Sequence, residues 1–147
     1  MVYVDTSVLV ALCVNEPKSA VVARWYAACS DELTSAVWCV TEFASALGIK
    51  QRTAQISADQ AAIAWQAFER LCASDLQLLP VEPATFHRAA VLTLDAKTSL
   101  RAGDALHLAA ALEAKAKSMA TLDDVLARNA KQMKIKQIGR ASCRERV

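Results

Sequence analysis

Val2-Tyr3-Val4-Asp5-Thr6-Ser7-Val8-Leu9-Val10-Ala11-Leu12 carries, in one short stretch, three β-favouring residues, an acid, two hydroxyl residues and a resumed apolar run. That order reads as a buried strand, a turn and a short helix. The same alternation continues along the chain. Pro17 and Ser19 introduce a helix with Val21, Val22, Trp25, Tyr26 and Cys29 at three-to-four spacing, and an extended piece follows near Glu32-Leu33-Thr34. Val37 to Gln51 reads as helix, and Ser57 with Gln60 forms a capping box for a long helix through Ile63, Ala64, Ala67, Phe68 and Leu71. Leu76 to Val81 has strand length, and Pro83 marks the start of a helix over Ala84 to Leu94. Leu100-Arg101-Ala102-Gly103-Asp104 is a turn feeding a helix to about Lys117. Ser118 to Thr121 is a short strand, Asp123-Asp124 caps a helix over Val125 to Gln132, and Lys134 to Ile138 is an edge strand. Parallel neighbours need helical crossovers, so the expected fold is a three-layer α/β/α sandwich around a mostly parallel central sheet.

Composition agrees. The chain has 147 residues, 54% hydrophobic, with 30 alanines against 3 Gly and 3 Pro, which favours packed helices over turn-rich β architecture. One domain over residues 1–138 is expected, with no internal repeat or linker. No apolar run reaches the roughly 18 residues of a membrane span, and the start has no basic region before Asp5, so a cytoplasmic location is expected. Five cysteines form no CxxC pair and no zinc spacing with the two histidines, and the first four read as small core hydrophobes in a reducing compartment. Residues 139–147 abandon the apolar pattern and read as a non-native tail. They carry Arg140, Arg144 and Arg146 against Glu145, which leaves 14 basic and 14 acidic residues in positions 1–138. Any nucleic-acid contact is therefore expected to be local rather than driven by a basic surface.

In an open parallel sheet, ligands bind beyond the carboxyl ends of the strands, and acids stand at two of those places, Asp5 after Val4 and Asp123 after Thr121. Two more lie in otherwise apolar helices: Glu42 in Cys39-Val40-Thr41-Glu42-Phe43-Ala44 and Asp104 before Ala105-Leu106-His107-Leu108-Ala109. Each has a plain structural role open to it. Asp5 and Asp123 can cap helices, Asp104 can complement a helix dipole and Glu42 can face solvent. Taken together, four acids converging on one pocket would repel one another strongly without a cation, and an oxygen-rich cluster suits Mg²⁺ or Mn²⁺.

Val2 to Leu12 with its Asp5-Thr6-Ser7, Thr41-Glu42-Phe43 in a helix, Leu100-Arg101-Ala102-Gly103-Asp104-Ala105-Leu106-His107-Leu108-Ala109 and Thr121-Leu122-Asp123 resemble, in that order, the PIN-domain family and its VapC-type toxins. The resemblance covers nearly everything from Met1 to about Ile138. It implies an Mg²⁺- or Mn²⁺-dependent endoribonuclease acting on RNA and held in check by a cognate antitoxin protein. Family roles fall on Asp5, Glu42, Asp104 and Asp123 as catalytic and metal-binding acids, with Thr6, Ser7 and Thr121 as accompanying hydroxyls. Thr6 and Thr121 are expected to position a metal-bound water, and Arg101 to pair with a nearby acid or touch RNA phosphate.

The remaining residues receive plainer readings. His107 is expected to pack in the core with one nitrogen satisfied, and His87 to be exposed. Trp25, Trp38 and Trp65 are read as core or interface packing, and Asp124 as a second helix-start acid that could exchange roles with Asp123. Lys50, Arg52 and Arg101 are candidate phosphate contacts. Val21, Trp25, Trp38 and Phe43 exceed what one small core needs, so part of that surface is assigned to the antitoxin and another face to a homodimer. Two other functions are open: a PIN-like module that binds RNA or protein without cutting, and a haloacid-dehalogenase-type phosphatase. The phosphatase expects a second Asp where Ser7 stands.

Overall fold

The computed structural model describes residues 1–138; the expected non-native tail lies outside them. In chain order the elements are β1 (Val2–Val4), α1 (Thr6–Cys13), α2 (Ser19–Ala28), β2 (Leu33–Ala36), α3 (Trp38–Arg52), α4 (Ala58–Ser74) and β3 (Leu76–Leu79). There follow α5 (Pro83–Leu94), a 3₁₀ turn (Ala96–Thr98), α6 (Ala102–Glu113), β4 (Ser118–Ala120), α7 (Asp124–Gln132) and β5 (Lys136–Ile138). The sheet runs β3-β2-β1-β4-β5 and every pair is parallel, so the sheet expected to be mostly parallel is entirely so among the described residues.

Strand alternation divides the core. Val2 and Val4 face one side of β1, where α1 to α4 contribute Leu9, Trp25, Phe43 and Phe68. Tyr3 faces the other, with Met119 of β4, Ala89 of α5, Leu108 of α6 and Leu126 of α7. Helices thus cover both faces of the sheet, as an all-parallel sheet requires. Part of the apolar excess assigned to an interface is absorbed here. Trp25 and Phe43 are buried, and Phe43 stacks on Phe68 with ring centroids 4.2 Å apart. Cys39 is fully buried; Cys13, Cys29 and Cys72 are half-buried, free thiols packed at the core's edge.

Local chemistry sets the boundaries. Ser57 and Gln60 form the expected capping box. Two elements stop two or more residues short of the sequence reading. β3 ends at Leu79 because Pro80 has no N–H to donate, and the Leu79 carbonyl instead receives Val37 N–H at 2.8 Å. α6 ends at Glu113 rather than near Lys117, because Lys115 turns left-handed at φ 56° and Ala116 N–H closes back on Ala111 O at 3.1 Å. No helix among the described residues is long and apolar enough to cross a membrane.

Sheet order places the one reversal of winding between β1 and β4, the position where a crevice opens beyond the strand ends in such sheets. Register finishes the placement. Val4 pairs with Ala120, and Asp5 N–H extends the ladder to Ala120 O at 3.1 Å, so Asp5 and Thr121 leave the sheet side by side.

Candidate active site

Asp5 is 3% exposed and stands at the head of α1 as its N-cap, accepting from Val8 N–H at 3.3 Å. Its two oxygens are held separately: Ser7 Oγ donates to Oδ1 at 2.6 Å, and Thr121 Oγ1 donates to Oδ2 at 2.6 Å. Those hydroxyls are themselves fixed by the loop after β4, since Leu122 N–H donates to Ser7 Oγ and Asp123 N–H to Thr121 Oγ1. Burial pushes the Asp5 carboxyl above its ordinary value, and His107, Ser7, Thr121 and Val8 only partly oppose that push.

Glu42 comes from α3 and reaches across the top of β1. Thr6 Oγ1 donates to Glu42 Oε1 at 2.7 Å, and His107 Nε2 of α6 meets the same oxygen. Glu42 therefore turns into the site, partly exposed, rather than standing out in solvent. Burial acts to raise its pKa, but the contacts with His107, Thr6 and Trp38 outweigh it and hold the carboxylate below its usual range. The buried Trp38 indole N–H makes no hydrogen bond of good geometry, yet it lies close enough to favour the charge. This close approach of α3 to α6 depends on Gly103, where a Cβ would sit 2.6 Å from Glu42 Oε2.

Asp104 lies in the first turn of α6, half-buried, with its pKa pushed up to about 6. Burial is the largest cause, followed by the charges of Asp123 and Asp5. His107 opposes the shift and Glu42 adds to it, so Asp104 feels all three other acids. Asp123 caps α7, its Oδ1 accepting from Leu126 N–H at 2.8 Å. Asp124, the first residue of that helix, is exposed.

The sequence-selected acids thus stand at one edge of the sheet, and Thr6, Ser7 and Thr121 stand among them. Each hydroxyl spends its proton on a carboxylate, so what they fix is the acids themselves. Arg101 is exposed at the N-cap of α6 and makes no ion pair among the described residues. Lys50 is half-buried and paired with Glu16, while Arg52 is exposed at the end of α3. A groove of about 500 Å³ runs from Thr6, Ser7 and Glu42 along α3 past Ile49 to that Lys50–Glu16 pair.

Sequence reasoning understated Tyr3 and His107. His107 is 2% exposed with both ring nitrogens engaged rather than one, Nδ1 with Tyr3 Oη at 2.7 Å and Nε2 with Glu42 and Thr6. Its spacing of one helical turn from Asp104 is the signal that points there. Tyr3 gave a fainter one, the single polar tip in an otherwise apolar strand.

As they lie, no three His, Cys, Asp or Glu side chains among the described residues are grouped closely enough to enclose a metal ion. The donor chemistry nonetheless fits a hard divalent cation. The acids offer oxygen ligands, and the upward shifts of Asp5 and Asp104 mark negative charge that the protein alone leaves incompletely balanced.

The PIN domain family model matches residues 2–132. Comparison with curated protein sequences returns no match. Among solved structures, the Mycobacterium tuberculosis toxin VapC20, titled as cleaving the sarcin-ricin loop, superposes with TM-score 0.71 at 17% identity, over 88% of this chain and 95% of its own. FitAB bound to a DNA fragment gives TM-score 0.68 at 18% identity, over 95% and 94%. PAE2754 from Pyrobaculum aerophilum gives 0.67 at 19%, over 98% and 87%. At these identities the structural likeness speaks for the fold alone.

Proposed function

Since this chain belongs to the PIN-domain family, we propose that it is an endoribonuclease that hydrolyses RNA phosphodiester bonds with Mg²⁺ or Mn²⁺, the toxin of a toxin-antitoxin pair acting in the cytoplasm. The observation that carries this reading is the gathering of one buried and three partly buried acids at the β1/β4 switch point, with Asp104 raised to about 6 by its burial and by neighbouring carboxylates. A site built so that its own charges repel is built for a cation.

In this proposal Asp5, Glu42, Asp104 and Asp123 would hold the metal. A bound divalent ion supplies charge neutralisation at the scissile phosphate and lowers the pKa of an attacking water. The protein's share is orientation. Ser7 and Thr121 keep the Asp5 oxygens apart and aimed, Thr6 and His107 fix Glu42, and Gly103 lets α3 close on α6. The groove along α3 offers a path for a strand leaving the acids, its apolar wall suiting a base and its far end carrying Lys50. A cognate antitoxin and a homodimer complete the proposal; the VapC-type resemblance supports the first.

The test is to mix RNA with protein stripped by chelator and then add Mg²⁺. Cleavage that starts only on addition and leaves 5′-phosphate ends supports the reading. A protein that binds RNA in Mg²⁺ and leaves it intact is instead the non-cutting module. The phosphatase reading has no comparable support, since Ser7 holds Asp5 where a second acid is required.

A further inference from the structure

A continuous chain of buried polar contacts leads from the middle of the sheet to the site. Ala36 N–H of β2 donates to Tyr3 Oη at 3.1 Å, and Tyr3 Oη meets His107 Nδ1 at 2.7 Å. His107 Nε2 meets Glu42 Oε1, which also receives the Thr6 hydroxyl. Tyr3 is fully buried and His107 nearly so, and the rings pack edge to face with centroids 5.7 Å apart. Neither side chain has packing freedom to turn elsewhere. An apolar pair would fill this space without needing six polar atoms to agree in direction, so the cost of burying them calls for a role.

Donor and acceptor counting gives the chain a direction. The Ala36 N–H occupies a lone pair of Tyr3 Oη, and the neutral phenol retains one O–H to donate. His107 Nδ1, 2.7 Å away, is the ring atom placed to accept it. With Nδ1 accepting, the ring would carry its hydrogen on Nε2, facing Glu42 Oε1. With Oε1 taken by His107 and Thr6, Oε2 is left over Gly103 in the first turn of α6, one residue from Asp104.

We propose that Tyr3 and His107 are a positioning pair for Glu42: Tyr3 selects the Nε2–H tautomer of His107, and His107 uses that hydrogen to hold the Glu42 carboxylate toward Asp104. Neither residue touches substrate. The proposal rests on the nuclease reading for its kinetic consequence, but its structural half stands without activity.

That half is tested on metal-free protein. The chain has two histidines, and His87 is exposed, so the ¹⁵N shifts of His107 can be assigned by one substitution. In the neutral ring the shifts should show Nε2 protonated and Nδ1 bare, and Tyr3→Phe should mix the tautomers. A ring protonated on Nδ1 in the wild-type protein overturns the assignment.

The kinetic half uses the loaded enzyme. Loss of an outer partner of this kind typically costs about 10–100-fold, so His107→Leu should lower kcat by that order with KM for RNA little changed. His107→Gln, which keeps a donor near the Nε2 position, should recover most of the loss. Tyr3→Phe should lower kcat in the wild-type background and have no further effect beside His107→Gln, because an amide has no tautomer to select. If Tyr3→Phe costs the same factor in both backgrounds, or His107→Leu folds and retains kcat, the pair is only packing. Wild-type protein that fails to cut RNA sinks the nuclease reading while leaving the tautomer measurement to decide the pair.

Discussion

Asp104 holds its proton to about pH 6 in the folded chain, through burial and the charges of Asp123, Asp5 and Glu42, whereas an unfolded Asp releases it near about pH 4. Below both values the two states are equally protonated and the group is neutral toward folding. Between them the folded state binds the extra proton, so stability falls as pH rises and the full cost is present above about 6. Asp5, also raised, acts in the same direction, and Glu42, held low, in the opposite one. Asp104→Asn should therefore leave the metal-free protein as stable as wild type near pH 4. At pH 7 it should be more stable by about 1 kcal/mol, a figure discounted for the solvent that reaches this half-buried group. Thermal melts in chelator at the two pH values check this; a difference that does not change with pH contradicts it. Adding Mg²⁺ at pH 7 should raise the wild-type melting temperature and do much less for Asp104→Asn.

Two helices carry the consequences of single-residue choices at their ends. In α6, Gly103→Ala replaces a weak helix former but puts a Cβ 2.6 Å from Glu42 Oε2, so the carboxylate must move. Cleavage should fall by about tenfold or more while melting shifts by no more than about 1 kcal/mol, helix propensity offsetting the contact. Rates matching wild type would show that Glu42 needs no close seat on α6. At the other end, Lys115 at φ 56° is in a conformation that glycine enters without cost, so Lys115→Gly should stabilise by about 0.5–1 kcal/mol in denaturant melts. These elements also mark what the sequence could reveal. The Ser57–Gln60 box, Pro83 and the acids at strand ends act through neighbours a few residues away, so element order, the parallel sheet and the placement of four acids were legible. The contacts of Tyr3 with His107 and of Thr121 with Asp5 join residues more than 100 positions apart. No local period encodes such a pairing. For the same reason Phe43 read as surplus apolar surface until its stack on Phe68 of α4 accounted for it.

For the molecule as a whole, residues 1–138 carry equal numbers of acidic and basic residues, and the candidate site concentrates the acids. RNA should bind weakly without a divalent cation, and with one the dependence on salt should be shallow, about −0.7 per phosphate contact on single strands. Lys50, engaged with Glu16, and the exposed Arg52 and Arg101 supply few such contacts. Affinity measured against salt for chains ending at Ile138 and at Val147 separates this from any contribution of Arg140, Arg144 and Arg146. Tight metal-free binding by the shorter chain would show that the electrostatic account is wrong. The central claim is that acids from four separate stretches of sequence act as one catalytic unit beyond the ends of β1 and β4. Residues that act as a unit do not contribute independently, so each alone should be close to indispensable. The direct measurement is the single-turnover rate of RNA cleavage in Mg²⁺ for wild type, Asp5→Asn, Glu42→Gln and Asp104→Asn, each verified as folded by its melting transition. The account predicts a loss of about 10²-fold or more for every variant, with transitions at or above that of wild type in chelator for Asp5→Asn and Asp104→Asn. A folded Asp5→Asn protein that cuts RNA within about threefold of the wild-type rate would contradict it.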